Sequence, residues 1–160
     1  MEFEPIGVIR SSHFGAKGTP LQPRFAEGCR GTLELRPGLA EGLMDLEGFE
    51  RVWLLVALDR TAFKELTVVP YRDTRPHGIF ATRAPARPNP LGLSCVRLTG
   101  IRGHILDLEE VDLLDGTPVL DIKPYIPEYD AYPDARAGWT EDESVRRAPR
   151  LADERFEAKP

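Results

Sequence analysis

Cysteine is nearly missing from this chain. Cys29 and Cys95 are its only two, and they form no C-x-x-C pair. A disulfide framework and a thiolate metal site are therefore not expected, and a reducing, cytoplasmic compartment is. Histidine is almost as scarce: His13, His77 and His104 are far apart and lack neighbouring ligands, so no metal is expected. No apolar run approaches the roughly 20 residues of a membrane-spanning helix, and the start Met1-Glu-Phe-Glu4 is acidic where a signal peptide is basic. No membrane partner is expected. Neither G-x-G-x-x-G nor G-x-x-x-x-G-K-[ST] occurs, which removes the common dinucleotide and phosphate cradles. No nucleophile elbow surrounds a serine. Excess positive charge is also lacking: 21 Lys and Arg against 26 Asp and Glu leave a net charge of −5. A generally nucleic-acid-binding surface is disfavoured, and only a local basic patch stays open.

Proline and glycine are plentiful instead, at 15 and 14 of 160 residues. They point to short elements joined by tight turns within one domain large enough to bury a core. Pro5 to Arg10 reads as a first strand, and Thr19-Pro-Leu-Gln-Pro23 as a proline-stiffened segment. Cys29 to Leu35 alternates like a strand buried on one face. Leu39 to Leu46 has brief helical spacing and stops at Gly48. Val52 to Leu58 is continuously apolar, which predicts a central strand buried on both faces. Leu66–Val69 and Gly78–Thr82 are shorter strands. Leu91–Leu98 and Ile105–Leu108 form a hairpin across Arg102-Gly103, and Val119–Lys123 is the last strand. About eight strands with one short helix predict an all-β fold, a single small barrel, with an irregular, partly helical C-terminal tail. The division is a domain over residues 1–135 and a charged tail over 136–160, where acidic and basic residues alternate.

One stretch organises the rest: Phe80-Ala-Thr-Arg-Ala-Pro-Ala-Arg-Pro-Asn-Pro-Leu-Gly-Leu-Ser94. Pro85, Pro88 and Pro90 exclude a helix and push the residues before them towards extended geometry. The product is a stiff loop that loses little entropy on binding, bearing Arg83 and Arg87 for an anionic group. Asp112-Leu-Leu-Asp-Gly-Thr117 is the second unusual stretch. Its aspartates are three positions apart, not the two of haloacid-dehalogenase phosphatases, and Asp115-Gly116 by itself reads as a hairpin turn.

These two blocks, with Ile6-Gly-Val-Ile-Arg-Ser11, Phe49-Glu-Arg-Val-Trp-Leu54 and the continuation to Pro127, resemble the TsaA-like family. Its bacterial members include the TrmO tRNA methyltransferases. The resemblance runs from about Ile6 to Trp139. It implies a β-barrel, usually dimeric, methyltransferase that uses S-adenosyl-L-methionine. Carried over by motif, the cofactor positions are Pro20, Leu21 and Gln22, Asp59 and Arg60, Arg83, Leu93, and Leu113, Leu114, Asp115 and Gly116. Leu21 stands where the family typically has arginine. Asp59 and Arg60 stand where many members have histidine and glutamine.

The residue types suit such a ligand. Arg83 matches its carboxylate end, Leu93 and Leu113 offer apolar faces for adenine, and Asp115 offers a counter-charge for the sulfonium. Asp115 and Tyr125 are the candidate catalytic groups, accepting the N–H of an exocyclic adenine nitrogen. The implied reaction is tRNA modification: N6-methylation of the threonylcarbamoyl-bearing adenosine next to the anticodon, by a homodimer. Lys64, Arg72, Arg75, Arg83 and Arg87 are candidates for contacting tRNA phosphates. Methylation of a small molecule or another RNA stays open, as does a non-catalytic S-adenosyl-L-methionine-binding module.

Overall fold

Alternating side chains drive the architecture, because successive residues of a strand face opposite ways and only one face can be buried in a small barrel. A computed structural model describes residues 2–61 and 63–157. Its strands are β1 (Gly7–Ser11), β2 (Arg30–Leu35), β3 (Arg51–Ala57), β4 (Thr67–Val68), β5 (His77–Gly78), β6 (Leu91–Arg102), β7 (Ile105–Glu109) and β8 (Pro118–Pro124). Six of them close into a barrel in the order β1-β2-β7-β6-β3-β8, with β8 returning to β1, every pairing antiparallel. Closure leaves no free edge among these six. β4 and β5 form a separate two-stranded ribbon beside the barrel.

The inward residues Ile9, Leu33, Val52, Leu54, Val56, Val96, Leu106 and Val119 are completely buried. Each such side chain contributes about 1.5–3 kcal/mol through removal from water. β3 departs from expectation: Val52, Leu54 and Val56 are buried while Arg51, Trp53 and Leu55 are half-buried. Its continuous apolar run reflects a barrel wall whose outer face is partly covered, with Trp53 edge-on to Tyr125 at 5.9 Å.

Three further details differ from the sequence reading. The predicted helix at Leu39–Leu46 is 3₁₀, at Pro37–Leu43 and Leu46–Gly48. The strand predicted over Gly78–Thr82 is a two-residue bridge followed by a 3₁₀ turn at Ile79–Ala81. Asp115-Gly116 does turn the chain, with Gly116 at φ 82° and Thr117 N–H bonded to the Leu114 carbonyl at 3.1 Å. It does not close a hairpin, because β7 pairs with β2 and β6, whereas β8 pairs with β1 and β3. The hairpin across Arg102-Gly103 is present, with Gly103 at φ 64°.

The C-terminal segment lies against the barrel. It carries helix α1 (Pro127–Asp130), a 3₁₀ turn at Gly138–Glu141 and helix α2 (Glu143–Arg147). The arm that follows pairs Leu151 with Pro20 and Glu157 with Thr61. Phe156 joins Val68, Ile79, Ala84 and Ala86 in a second apolar cluster, flanked by Phe63 and Tyr71. Residues 158–160 of the expected tail lie outside the described residues. Among the described residues, no helix is long and apolar enough to cross a membrane.

Candidate functional site

Where β1 and β3 finish and β6 and β8 begin, the connecting segments surround a cavity of about 410 Å³. That lies within the roughly 300–1,000 Å³ range of small-molecule sites. Each wall follows from a local feature of the sequence. The Thr19–Pro23 segment lacks amides at Pro20 and Pro23, so it cannot extend the sheet, and it runs into a 3₁₀ turn at Pro23–Phe25. The stiff proline loop crosses the mouth and is tied down at both ends. Leu58 N–H bonds to the Pro90 carbonyl at 2.7 Å, and Glu65 N–H to the Ala86 carbonyl at 3.1 Å. At Gly92 a Cβ atom would stand 2.7 Å from Cγ2 of Val56, so this glycine is what lets β6 approach β3 beside the cavity.

The cavity gathers nearly all the cofactor positions read from the sequence. Pro20, Leu21, Gln22, Asp59, Arg60, Arg83, Leu93, Leu113 and Leu114 all line it. These come from four separated segments, and only barrel closure brings them together. The Arg83 guanidinium donates to the side-chain carbonyl of Gln22, joining two of the segments. Arg60 donates to the Phe14 carbonyl at 3.1 Å and to the Asp115 carbonyl, so it ties the walls together.

Asp115, Gly116 and Tyr125 are not among the lining residues. The Asp115 carboxylate accepts the Ser11 N–H at 3.1 Å, and its own N–H bonds to the His13 carbonyl at 2.7 Å. The side chain is engaged in holding the turn against the end of β1. Gly116 N–H bonds to the Ile9 carbonyl at 2.8 Å. Tyr125 follows the end of β8, where Pro124 is opposite Val52, whereas the cavity is at the Ala57 end of β3.

The sequence reading missed a different carboxylate. Asp112 lines the cavity and accepts a hydrogen bond from the hydroxyl of Ser94, itself buried on β6. Burial pushes the Asp112 carboxyl up to about 6, while the Ser94 hydrogen bond and the nearby Arg83 charge pull it down. Both residues lay inside the blocks quoted above. The signal that they meet is the pairing geometry, and the sequence spacing of 18 residues does not show it. The arm supplies the other unforeseen wall, with Ala152, Phe156 and Glu157 lining the cavity.

Of the cations between Lys64 and Arg87, Arg72 and Arg87 are half-buried, whereas Lys64, Arg75 and Arg83 stay exposed. Arg72 donates to the carbonyls of Val145 and Arg146 and stacks on Phe25 at 5.2 Å. Arg75 pairs with Asp73 at 3.0 Å and Asp142 at 2.6 Å. Arg87 donates to the carbonyls of Thr82, Ile79 and Ala84 at 2.8, 3.1 and 3.3 Å. Two of the proline loop's carbonyls, those of Thr82 and Ala84, are thus engaged by its own arginine. The Arg72 guanidinium is committed to backbone carbonyls of the C-terminal segment, while Arg75 ties that segment through Asp142 from an exposed position.

Known proteins share this architecture. A crystal structure of TrmO from Pseudomonas aeruginosa superposes with a TM-score of 0.74 at 45% identity, covering 87% of this chain and 62% of that one. A probable S-adenosyl-L-methionine-binding protein of Pyrococcus abyssi is 49% identical over 139 residues, 87% of this chain and 76% of the relative. The tRNA (adenine(37)-N6)-methyltransferase of Escherichia coli is 39% identical over 150 residues, 88% of this chain and 64% of the relative. This chain therefore spans just under two thirds of the two bacterial proteins. The model of the tRNA-methyltransferase O N-terminal domain matches residues 8–131, which include β1 to β8 except Gly7 and every lining segment except the C-terminal arm. With the barrel, the converging segments and these likenesses in agreement, the chain belongs to the tRNA-methyltransferase O N-terminal domain family.

Proposed function

We propose that the cavity binds S-adenosyl-L-methionine and that the protein methylates N6 of the threonylcarbamoyl-modified adenosine beside the anticodon of tRNA. The observation that carries this is the convergence of four cofactor segments on one cavity, in a chain of this family. The lining fits the ligand's chemistry. Leu58, Leu93 and Leu113 present apolar surface for a purine; Thr19 and Thr82 place hydroxyls; Arg83 and Asp112 offer the opposite charges that a zwitterionic end requires. Relatives named for binding S-adenosyl-L-methionine and for methylating tRNA support both halves of the reading.

When bound, the cofactor supplies an electrophilic methyl group. The chain's own contribution is placement. The proline loop has little freedom left to lose, so it holds the groups it carries in place at low entropic cost.

The same reading makes the protein a cytoplasmic homodimer whose site is completed across the two-fold axis by groups such as Tyr125, and it places no metal in the reaction. Light scattering at micromolar concentration checks the dimer. For the activity, the protein is incubated with methyl-labelled cofactor and total tRNA, and the nucleosides are resolved by mass spectrometry. Label on N6 of threonylcarbamoyladenosine is expected. Equal transfer to tRNA lacking the threonylcarbamoyl group, or transfer to a small molecule alone, would overturn it.

A further inference from the structure

Three carboxyls line the cavity: Asp59, Asp112 and Glu157. Asp59 and Arg60 sit at its rim, exposed, and Arg60 is spent on backbone carbonyls. Asp112 differs: it is half-buried between the buried Val111 and Leu113, and desolvation raises its carboxyl. Its one side-chain partner is the hydroxyl of Ser94, which is only 2% exposed. A carboxylate has about four acceptor sites, so the Ser94 hydroxyl and the residue's own backbone amide leave about half of them for a ligand in the cavity. Burying an ionised carboxylate with so little compensation costs stability, and such groups cluster where a ligand supplies the missing partner.

Resting on the reading that S-adenosyl-L-methionine occupies this cavity, we propose that Asp112 is the anchor for the cofactor's α-ammonium group, with Ser94 as its positioning residue. Two physical reasons favour the ammonium over the sulfonium. An ammonium donates three hydrogen bonds and matches the open lone pairs of Asp112, whereas a sulfonium donates none. Methyl transfer also discharges the sulfonium, so a carboxylate held against it would favour the ground state over the transition state. The ammonium keeps its charge throughout. Arg83, close enough to lower the Asp112 carboxyl, then stands where the adjoining carboxylate of the same amino-acid end can meet it.

Affinity should therefore follow the ionisation of Asp112. The other charged or titratable side chains around the cavity are Arg83 and Arg87 on the proline loop, Asp59 and Arg60 after β3, Tyr71, and Glu157 on the arm. His13 approaches from the β1 side, its ring 3.1 Å from the Val111 carbonyl, so His13→Gln serves as the control for an imidazole.

The test is calorimetric binding of three ligands between pH 5 and 8, with folding of each variant verified by thermal melting. S-adenosylhomocysteine keeps the ammonium but lacks the sulfonium; methylthioadenosine lacks the amino-acid end. For wild type and His13→Gln, affinity for S-adenosyl-L-methionine and S-adenosylhomocysteine should fall by about tenfold from pH 8 to pH 5, as the competent ionised fraction shrinks. Methylthioadenosine should show no such dependence. Asp112→Asn should lose affinity for the first two ligands alike and flatten their pH profiles, leaving methylthioadenosine unchanged. Ser94→Ala should move the midpoint to higher pH, because the hydroxyl holds the carboxyl down. A flat wild-type profile overturns the anchor without needing any variant. Loss confined to S-adenosyl-L-methionine would reassign Asp112 to the sulfonium and likewise overturn it. Failure of wild type to bind any of the three at any pH overturns the cofactor reading itself.

Discussion

Phe156 meets Tyr71 edge-on, with ring centroids 5.0 Å apart and planes at 88°. This contact fastens the C-terminal arm to the loop after β4, and both residues also line the cavity. A segment beyond the family match thereby becomes part of the wall around the proposed cofactor. Phe156 is 6% exposed, and burial pushes the Tyr71 phenol up to about 12.

Replacing Phe156 by Ala should remove this anchor. A buried phenylalanine truncated to alanine costs about 3–5 kcal/mol where the site cannot collapse. Denaturant unfolding should show a loss of that order, and cofactor affinity should fall with it because Ala152 and Glu157 are no longer held in place. An unchanged midpoint would mean that the arm contributes nothing to the fold.

Arg72 should behave as a structural residue rather than as an RNA contact. Its guanidinium bonds to two carbonyls of the C-terminal segment and, like that of Arg150 at 5.1 Å, packs on the Phe25 ring. Arg72→Ala should destabilise the protein by about 1.5–3 kcal/mol, the range for hydrogen bonds to a charged group. The salt dependence of tRNA affinity should keep the wild-type slope, since no phosphate contact is removed. A shallower slope, measured by filter binding across a salt series, would return Arg72 to the RNA surface.

Asp112 should cost the free protein stability at neutral pH. Its carboxyl titrates at about 6 in the fold, above the ordinary 3.8, so between these values the native state holds a proton that the unfolded chain has released. Stability therefore declines as pH rises through this window, by about 2–3 kcal/mol in all. Asp112→Asn should consequently melt higher than wild type at pH 7.5, with the gap closing below pH 4. Wild type melting above the variant at pH 7.5 would show that the carboxylate is compensated within the fold. A stabilising variant that binds cofactor poorly is the pattern of a residue kept for its ligand.

Much of this protein was legible in its sequence. The alternation in Arg30–Leu35 and the apolar run through Val52 and Val56 specify strands because a side-chain period of two leaves one face to bury. Pro85, Pro88 and Pro90 specify a stiff loop because proline fixes φ wherever it occurs. The segments that line the cavity were singled out through their likeness to a family, residue by residue. Tertiary structure alone decided what each charge does. Arg72 and Arg75 read as a basic patch until the C-terminal segment supplied carbonyls and Asp142 to occupy them. Asp115 and Asp112 are indistinguishable as aspartates in one short motif. The turn at Gly116 engages the first with the Ser11 amide, while barrel closure sets the second against Ser94, lining the cavity. Backbone preference is local and can be read from neighbours in the chain. The role of an ionisable group is set by its solvation and by charges brought near it from distant segments, and those exist only once the barrel has closed.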